Sequence, residues 1–420
     1  MKAHITPSAL CGAIDAPSAK SDAHRLLICA ALSDAPVRIE NAGSCDDVRA
    51  TMQALSALGA KFSRDGDGIV VTPVPREGKS AGVPTLDCIE SGSTLRFLLP
   101  VAAALRDKTS FTARGGLRTR PLAELLRAME PNGVSADRDT APLTLSGRLQ
   151  SGTFAIRGDV SSQYISGLLF ALPLLSGDSR IVLLTALSSA GYVDMTLDAL
   201  SRFGVRVKKT EDGFFVPGDQ VYRGPSSLRA EGDWSGAAFA LCGGALSGPV
   251  TVRGLRKDSL QRDKKIADVL KNFGADVDFS QDAVTVQKNE LRGIALDADE
   301  IPDLVPIIAA VAAFARGATR IENCARLRIK ETDRLETVRA MVVSLGGNAE
   351  IDGDALVIAG GGLSGGAADS FGDHRIAMAA AIVASHVEHN STIDRAEAVA
   401  KSYPQFFRDY QTIGGQVDGI

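Results

Sequence analysis

KSDAHRLLICAALS, residues 20–33, sets a small polar cluster directly in front of an apolar, alanine-rich run of helical length. The phrase occurs six times at intervals of about 70 residues. The other copies read ESGSTLRFLLPVAAAL (residues 90–105), SSQYISGLLFALPLL (161–175), GDWSGAAFALCGGAL (232–246), IPDLVPIIAAVAAFA (301–315) and GDHRIAMAAAIVAS (372–385). After each copy comes an amphipathic run that stops at glycine: Gly59, Gly133, Gly204, Gly274, Gly346 and Gly414. A glycine just past a periodic run is the usual left-handed end of a helix. Short alternating runs follow, such as IVVTP (69–73), PLTLSG (142–147), GFFVPG (213–218), AVTVQ (283–287) and ALVIAG (355–360). These read as strands closing a hairpin. The repeated unit is therefore strand, helix, strand, helix, strand, strand, and the expected fold is α/β, two domains of three βαβαββ modules each.

The first helix of each module is apolar nearly all round and should be buried, whereas the second carries charge on one face. A buried helix keeps a partial positive charge and unpaired N–H groups at its N-terminus. All six polar clusters fall at such ends, so the repeat prepares anion sites before any side chain is counted.

Composition narrows the class. The chain has 420 residues, 45% of them hydrophobic, and a net charge of −4, which fits a well-buried α/β protein too long for one core. The longest uncharged apolar stretch, residues 304–315, is too short to span a bilayer, and MKAHITPSAL at residues 1–10 lacks the basic-then-apolar order of a signal peptide. A cytoplasmic protein without membrane contact is expected. Six cysteines are scattered without a CxxC or Cys/His cluster, so no disulfide framework or zinc site is expected.

The clusters differ in their functional groups. The first offers Lys20, Ser21 and Arg25, the second Gly92, Ser93 and Arg96, the third Ser161, Ser162 and Gln163, the fifth Asp303, the sixth Asp373, His374 and Arg375. Helix capping accounts for Ser, Asp and Gly at such places. It does not account for Lys20, Gln163 or Arg375 beside buried helices. Two further basic clusters, GGLRTRPL (115–122) and RLRIKETDR (326–334), lie outside the phrase. In the second, Glu331 and Asp333 are interleaved with Lys330 and Arg334, a pattern most often of a solvated helix face with mutually paired charges, and also that of a proton-transfer acid beside a bound anion.

SAKSDAHR (18–25), GLRTRPL (116–122), SSQY (161–164), IPD (301–303), IKETDR (329–334), GDHRIAM (372–378) and AKSYPQFF (400–407) together resemble the 5-enolpyruvylshikimate-3-phosphate synthase family. The resemblance runs in order from residue 18 to beyond residue 400. It implies the enolpyruvyl transferase fold, of inside-out α/β barrel type, with residues 19–228 as one domain and residues 1–18 plus 229–420 as the other. The substrate cleft would lie between them and close on binding. It also implies transfer of the enolpyruvyl group of phosphoenolpyruvate to the 5-hydroxyl of shikimate 3-phosphate, a step toward chorismate and the aromatic amino acids, with phosphate released.

By the same resemblance, shikimate 3-phosphate is expected at Lys20, Ser21, Arg25, Ser161, Ser162, Gln163, Ser189, Tyr192, Asp303 and Lys330. Phosphoenolpyruvate is expected at Lys20, Gly92, Arg120, Gln163, Arg334, Arg375 and Lys401. Guanidinium forks suit carboxylate and phosphate oxygens, and cations this dense leave no need for a metal or cofactor. Asp303 is expected to take the hydroxyl proton, Glu331 with Lys20 to manage the proton at the methylene carbon, and His374 to assist or to orient Arg375. A monomer acting on small molecules is expected.

The wording departs from the family at Glu90, Ser91, Gly92 and Ser93, where many members have Asn-Ala-Gly-Thr, and at Phe97, where proline is usual. Glu90 should point away from a bound phosphate or pair with a cation. Arg326 stands where many members have asparagine, and Ala190-Gly191 replace a Lys-Pro pair.

Two rivals remain. UDP-N-acetylglucosamine enolpyruvyl transferase shares the fold, but its loop usually holds a cysteine where Gly115-Gly116-Leu117-Arg118 has none, and its first module reads Lys-Asn where this chain has Lys20-Ser21. A non-catalytic anion or nucleic-acid binder would want a basic surplus, yet 46 Lys and Arg stand against 50 acids with one tryptophan. GGGLSG (360–365) fits GxGxxG but should be a loop, GKS (78–80) lacks the first glycine of a P-loop, and HVEH (386–389) lacks a third zinc ligand.

Overall fold

In a computed structural model that describes residues 1–75 and 82–420, every copy of the phrase enters a buried helix. The GKS run, residues 78–80, lies outside the described residues. Taken module by module, the helices are α1 (Lys20–Ala31) and α2 (Asp46–Leu58), α3 (Gly92–Leu105) and α4 (Ala123–Met129), α5 (Ser162–Ala171) and α6 (Ala190–Arg202), α7 (Trp234–Leu246) and α8 (Ile266–Phe273), α9 (Val305–Ala312) and α10 (Arg334–Ser344), α11 (His374–Ala384) and α12 (Phe406–Thr412). Alanine, leucine and isoleucine fill the first helices after their opening turn. Consequently α9 and α11 are buried at every residue and α7 at every residue except Ser235.

Proline shortens two of these helices relative to the apolar runs. α5 ends at Ala171 and passes into a 3-10 turn, Leu172–Leu174, where Pro173 has no N–H to continue the ladder. α9 starts only at Val305, after a 3-10 turn Pro302–Leu304, so Pro302 and Pro306 both fall in first turns, where a missing N–H costs nothing. Pro100 sits inside α3 and leaves the Arg96 carbonyl without its intrahelical donor. Gly167 of α5 comes against that carbonyl, so close that an added Cβ would lie 2.5 Å from the oxygen.

The six marker glycines are all left-handed, with φ of 113, 89, 72, 107, 89 and 97° in chain order. Five end their helices with a paired closure of one kind, as where Gly59 N–H donates to Ser56 O and Ala60 N–H to Leu55 O. Gly133 instead closes a 3-10 turn, Glu130–Asn132, that follows α4.

Among the described residues the strands form six four-stranded sheets built on one plan. In the second module a short leading strand (Thr85–Asp87) runs parallel to Lys108–Thr112, which is antiparallel to Leu143–Ser146, with Ser135–Ala136 at the edge. Three sheets are completed by strands distant in sequence. Ser227–Arg229 leads the first module's sheet, Gly12–Asp15 leads the fourth's, and Lys2–Thr6 lies between Ser391–Asp394 and Gln416–Asp418 in the sixth's.

The contacts divide the chain into two units, Lys20–Ala230 and Met1–Ala19 with Glu231–Ile420. Each has its own hydrophobic core. In the first, α3 packs along α5; in the second, α7, α9 and α11 pack pairwise. Where the chain leaves and re-enters the second unit, the two segments pair: Ala19 N–H donates to Glu231 O (2.8 Å) and Asp233 N–H to Pro17 O (2.8 Å).

Candidate active site

In the unit Lys20–Ala230, the polar clusters of the second and third modules meet. Arg96 Nη1 donates to Gln163 Oε1 (2.7 Å), and Gln163 Nε2 donates to Ser93 Oγ (2.9 Å). Gly92 opens α3 between two guanidinium groups: a Cβ there would lie 3.1 Å from Nη1 of Arg96 and of Arg120. Glycine is thus what lets both cations approach the positive end of α3, and the outcome is a concentration of positive charge. Ser161 caps α5, its hydroxyl accepting from Gln163 N–H at 3.3 Å. Tyr164 on the same helix donates to Pro121 O (2.5 Å), which fixes the segment that carries Arg120.

Lys20 opens α1 and pairs with Asp47 on α2 (2.9 Å). Arg25 is buried and spends three of its donors on the protein, with Nε to Thr196 Oγ1 (2.9 Å), Nη2 to Tyr192 O (2.7 Å) and Nη1 to Ser21 O. Burial lowers its pKa to about 10. The predicted ligands Arg25, Ser21 and Tyr192 are thereby brought together between α1 and α6. Ser189 caps α6 in a left-handed conformation (φ 53°) and is buried, as Ser162 is. Glu90 lies against Gly115, whose added Cβ would fall 2.1 Å from Oε1.

A buried chain of hydroxyls links these helices. His24 Nδ1 bonds to Thr51 Oγ1 (2.7 Å), Thr51 to Thr94 Oγ1 (2.6 Å), and Thr94 Oγ1 to Ser91 Oγ (2.7 Å), the cap of α3. His24 Nε2 has no hydrogen-bond partner among the described residues. Burial lowers the His24 pKa to about 3, so the ring is neutral.

In the other unit the centre is Arg334 at the start of α10, 1% exposed. Its guanidinium donates to Asp373 from Nε (2.7 Å), to Asp303 from Nη1 (2.7 Å) and to Glu331 from Nη2 (2.5 Å). Asp303 also takes Lys330 Nζ (3.3 Å) and Arg375 Nη2 (3.3 Å), while Arg375 Nη1 donates to its backbone oxygen (3.2 Å). Burial alone would raise the Asp303 pKa, but Arg375, Lys330 and Arg334 hold it well below the usual carboxylate range. Burial lowers the Lys330 pKa, against the pull of Asp303. Asp373 caps α11 and accepts from Arg375 N–H (2.9 Å); His374 is buried with Nδ1 3.7 Å from Asp373 Oδ1. Lys401 ends a 3-10 turn, Ala396–Lys401, and is half-buried.

So Asp303, Lys330, Glu331, Arg334 and Arg375 converge, His374 sits beside them, and Lys401 stands on a separate turn. One acid had no role in the sequence reading: Asp263, whose carboxylate accepts from Ser235 Oγ. A spacing could have found it. Ser235 and Asp263 are 28 residues apart, against 27 for Lys20 and Asp47 and 27 for Asp303 and Lys330. Each pair joins the start of a module's first helix to the start of its second.

Solved structures share this architecture. An EPSP synthase from Acinetobacter baumannii superposes with a TM-score of 0.85 at 22% identity, covering 99% of both chains. The enolpyruvyl transferase NikO from Streptomyces tendae gives 0.80 at 20% identity, over 99% of this chain and 98% of its own. The fold is therefore that of the enolpyruvyl transferases. A model of the family EPSP synthase (3-phosphoshikimate 1-carboxyvinyltransferase) matches residues 5–410, and the chain belongs to that family. Relatives named 3-phosphoshikimate 1-carboxyvinyltransferase include one from Clostridium kluyveri, 41% identical over 99% of this chain and 97% of its own, and one from Clostridium novyi, 39% identical over 99% and 98%. These matches favour neither the sister transferase nor a non-catalytic binder. Among the described residues no helix is long and apolar enough to cross a membrane.

Proposed function

We propose that the chain, which transfers the enolpyruvyl group of phosphoenolpyruvate to the 5-hydroxyl of shikimate 3-phosphate, acts as a cytoplasmic monomer, and that the two residue sets serve that one pair of substrates. The observation that carries this is the seat at Gly92, where an open helix end lies against Arg96 and Arg120 with Gln163 beside them. Guanidinium forks and the positive end of a helix suit the carboxylate and phosphate of phosphoenolpyruvate. Lys20, Arg334, Arg375 and Lys401 complete its charge balance. Ser21, Arg25, Ser161, Ser162, Gln163, Ser189, Tyr192 and Lys330 hold shikimate 3-phosphate, with hydroxyls where a further charge would not fit.

Chemistry follows from the acids. Asp303 accepts the 5-hydroxyl proton as that oxygen attacks C2 of phosphoenolpyruvate, while Glu331 or Lys20 delivers a proton to C3. The tetrahedral intermediate then loses the C3 proton to the same group as the C2–phosphate oxygen bond breaks. A carboxylate enclosed by three cations is ionised at any working pH, so Asp303 is always free to accept. Turnover of the Asp303→Asn variant tests the base. With folding intact, kcat should fall by about 10²–10⁴, and near-normal turnover would remove Asp303 from the role.

A further inference from the structure

The reaction scheme leaves one buried histidine unused. His24 lies on α1 one helical turn after Lys20, and Thr51 lies on α2 one turn after Asp47. The pairs Lys20–Asp47 (2.9 Å) and His24–Thr51 (2.7 Å) are therefore successive rungs between the two helices. The second rung continues into α3: Thr51 Oγ1 meets Thr94 Oγ1 at 2.6 Å, and Thr94 Oγ1 meets Ser91 Oγ at 2.7 Å. Ser91 also accepts the Thr94 N–H (3.3 Å) as the cap of α3, directly before Gly92. His24, Thr51, Thr94 and Ser91 are all buried, so the chain is screened from bulk solvent.

The chain has a direction, because each hydroxyl has a single hydrogen to give. Thr94 Oγ1 donates to Ser91 Oγ and so accepts from Thr51, and Thr51 in turn accepts from His24 Nδ1–H. Burial lowers the His24 pKa to about 3, so the ring is neutral and carries one hydrogen. With that hydrogen on Nδ1, Nε2 is a bare acceptor, and Nε2 is the ring atom that has no partner among the described residues. The opposite direction would bury an N–H at Nε2 with nothing to accept it, the rarer kind of orphan in proteins.

Hydrogen bonds that run one way polarise one another, and their dipoles add. Here the positive end is Ser91, which accepts twice from Thr94 and keeps its own hydrogen at the opening of α3. The chain thus adds its positive end to that of the helix, one residue before Gly92 and its neighbours Arg96 and Arg120. We propose that His24 is a positioning residue for the phosphoenolpyruvate seat: its Nδ1–H sets the direction of the chain through Thr51 and Thr94, and so holds the Ser91 cap and the first turn of α3 in the form that receives an anion. This inference rests on the reading of Gly92 as that seat.

The test is steady-state kinetics of the full-length chain, each substrate varied with the other saturating. Thr94→Val cuts the chain at the step to Ser91 while keeping the shape of the side chain and its backbone N–H. KM for phosphoenolpyruvate should rise by the order of 10-fold, the worth of one helix cap, while kcat and KM for shikimate 3-phosphate stay within about twofold. His24→Leu, which removes the first donor, should give the same rise. His24→Asn should keep the parent KM, because its amide offers an N–H in place of Nδ1–H, and Thr94→Ser should keep it because the hydroxyl remains. As members of one chain, His24→Leu and Thr94→Val together should cost no more than either alone. A purely structural role would lower Tm without separating the two KM values, or would raise both, with no rescue by Asn or Ser; either result overturns the proposal. Should His24→Leu not fold, Thr94→Val and Thr94→Ser decide it. Arg120→Gln separates this inference from the reading beneath it. If KM for phosphoenolpyruvate rises in Arg120→Gln and not in Thr94→Val, the chain alone is overturned; if it rises in neither, the seat and the chain fall together.

Discussion

A guanidinium enclosed by three carboxylates, as Arg334 is by Asp303, Glu331 and Asp373, behaves as a frame for acids. Its charge keeps all three in place, so its predicted role toward phosphoenolpyruvate has to be shared with its neighbours. Residues of this kind were legible in the sequence because cations beside buried helices are conspicuous. Asp263 was not, because neither Ser235 nor Asp263 breaks the pattern of ordinary caps and turns. His24 was also hidden, inside a run that reads as plain helix. It gives a sharp expectation about acid stability. Its pKa is near 3 in the fold and about 6.5 in an unfolded chain, so the unfolded state binds the extra proton first. The stability of the neutral ring is fully present above about pH 6.5 and is lost as pH falls from there toward 3. Denaturant midpoints measured from pH 7 to pH 4 should fall more steeply for the parent than for His24→Asn, whose side chain stays neutral. Parallel curves would contradict the assignment.

At the scale of elements, the repeat was readable because its two helices carry different signatures. An apolar stem behind a polar cluster marks the first, and a charged face ending on glycine marks the second. All six glycines proved left-handed, as a helix end requires of a residue without a Cβ. What periodicity does not show is how near two stems come. Gly167 allows α5 to reach the carbonyl that Pro100 leaves unpaired in α3, and an added methyl would meet that oxygen at 2.5 Å. Gly167→Ala should destabilise the unit by about 1–3 kcal/mol, the usual cost of overpacking, measured by equilibrium denaturation. A neutral result would mean that α3 and α5 can separate freely. Proline set the true limits of α5 and α9, and those were the places where the apolar runs overstated the helices.

Over the whole molecule, local pattern could not reveal which strands complete which sheets. Gly12–Asp15 and Ser227–Arg229 are too short for a periodic signal, and each pairs with a strand whose own helices lie elsewhere in the chain. Only the family resemblance implied that the first residues belong with the later half. The division into Lys20–Ala230 and the remainder puts the arginine-lined seat of Gly92 in one unit and the acid–cation cluster of Asp303 in the other. Sixfold repetition explains why a helix N-terminus recurs behind each polar cluster. The places where the copies differ explain the choice of reaction. The most direct measurement of that claim is phosphate release from phosphoenolpyruvate by the purified chain, with shikimate 3-phosphate and with UDP-N-acetylglucosamine in parallel. Release that requires shikimate 3-phosphate is the predicted result, and release only with the nucleotide sugar would contradict the account.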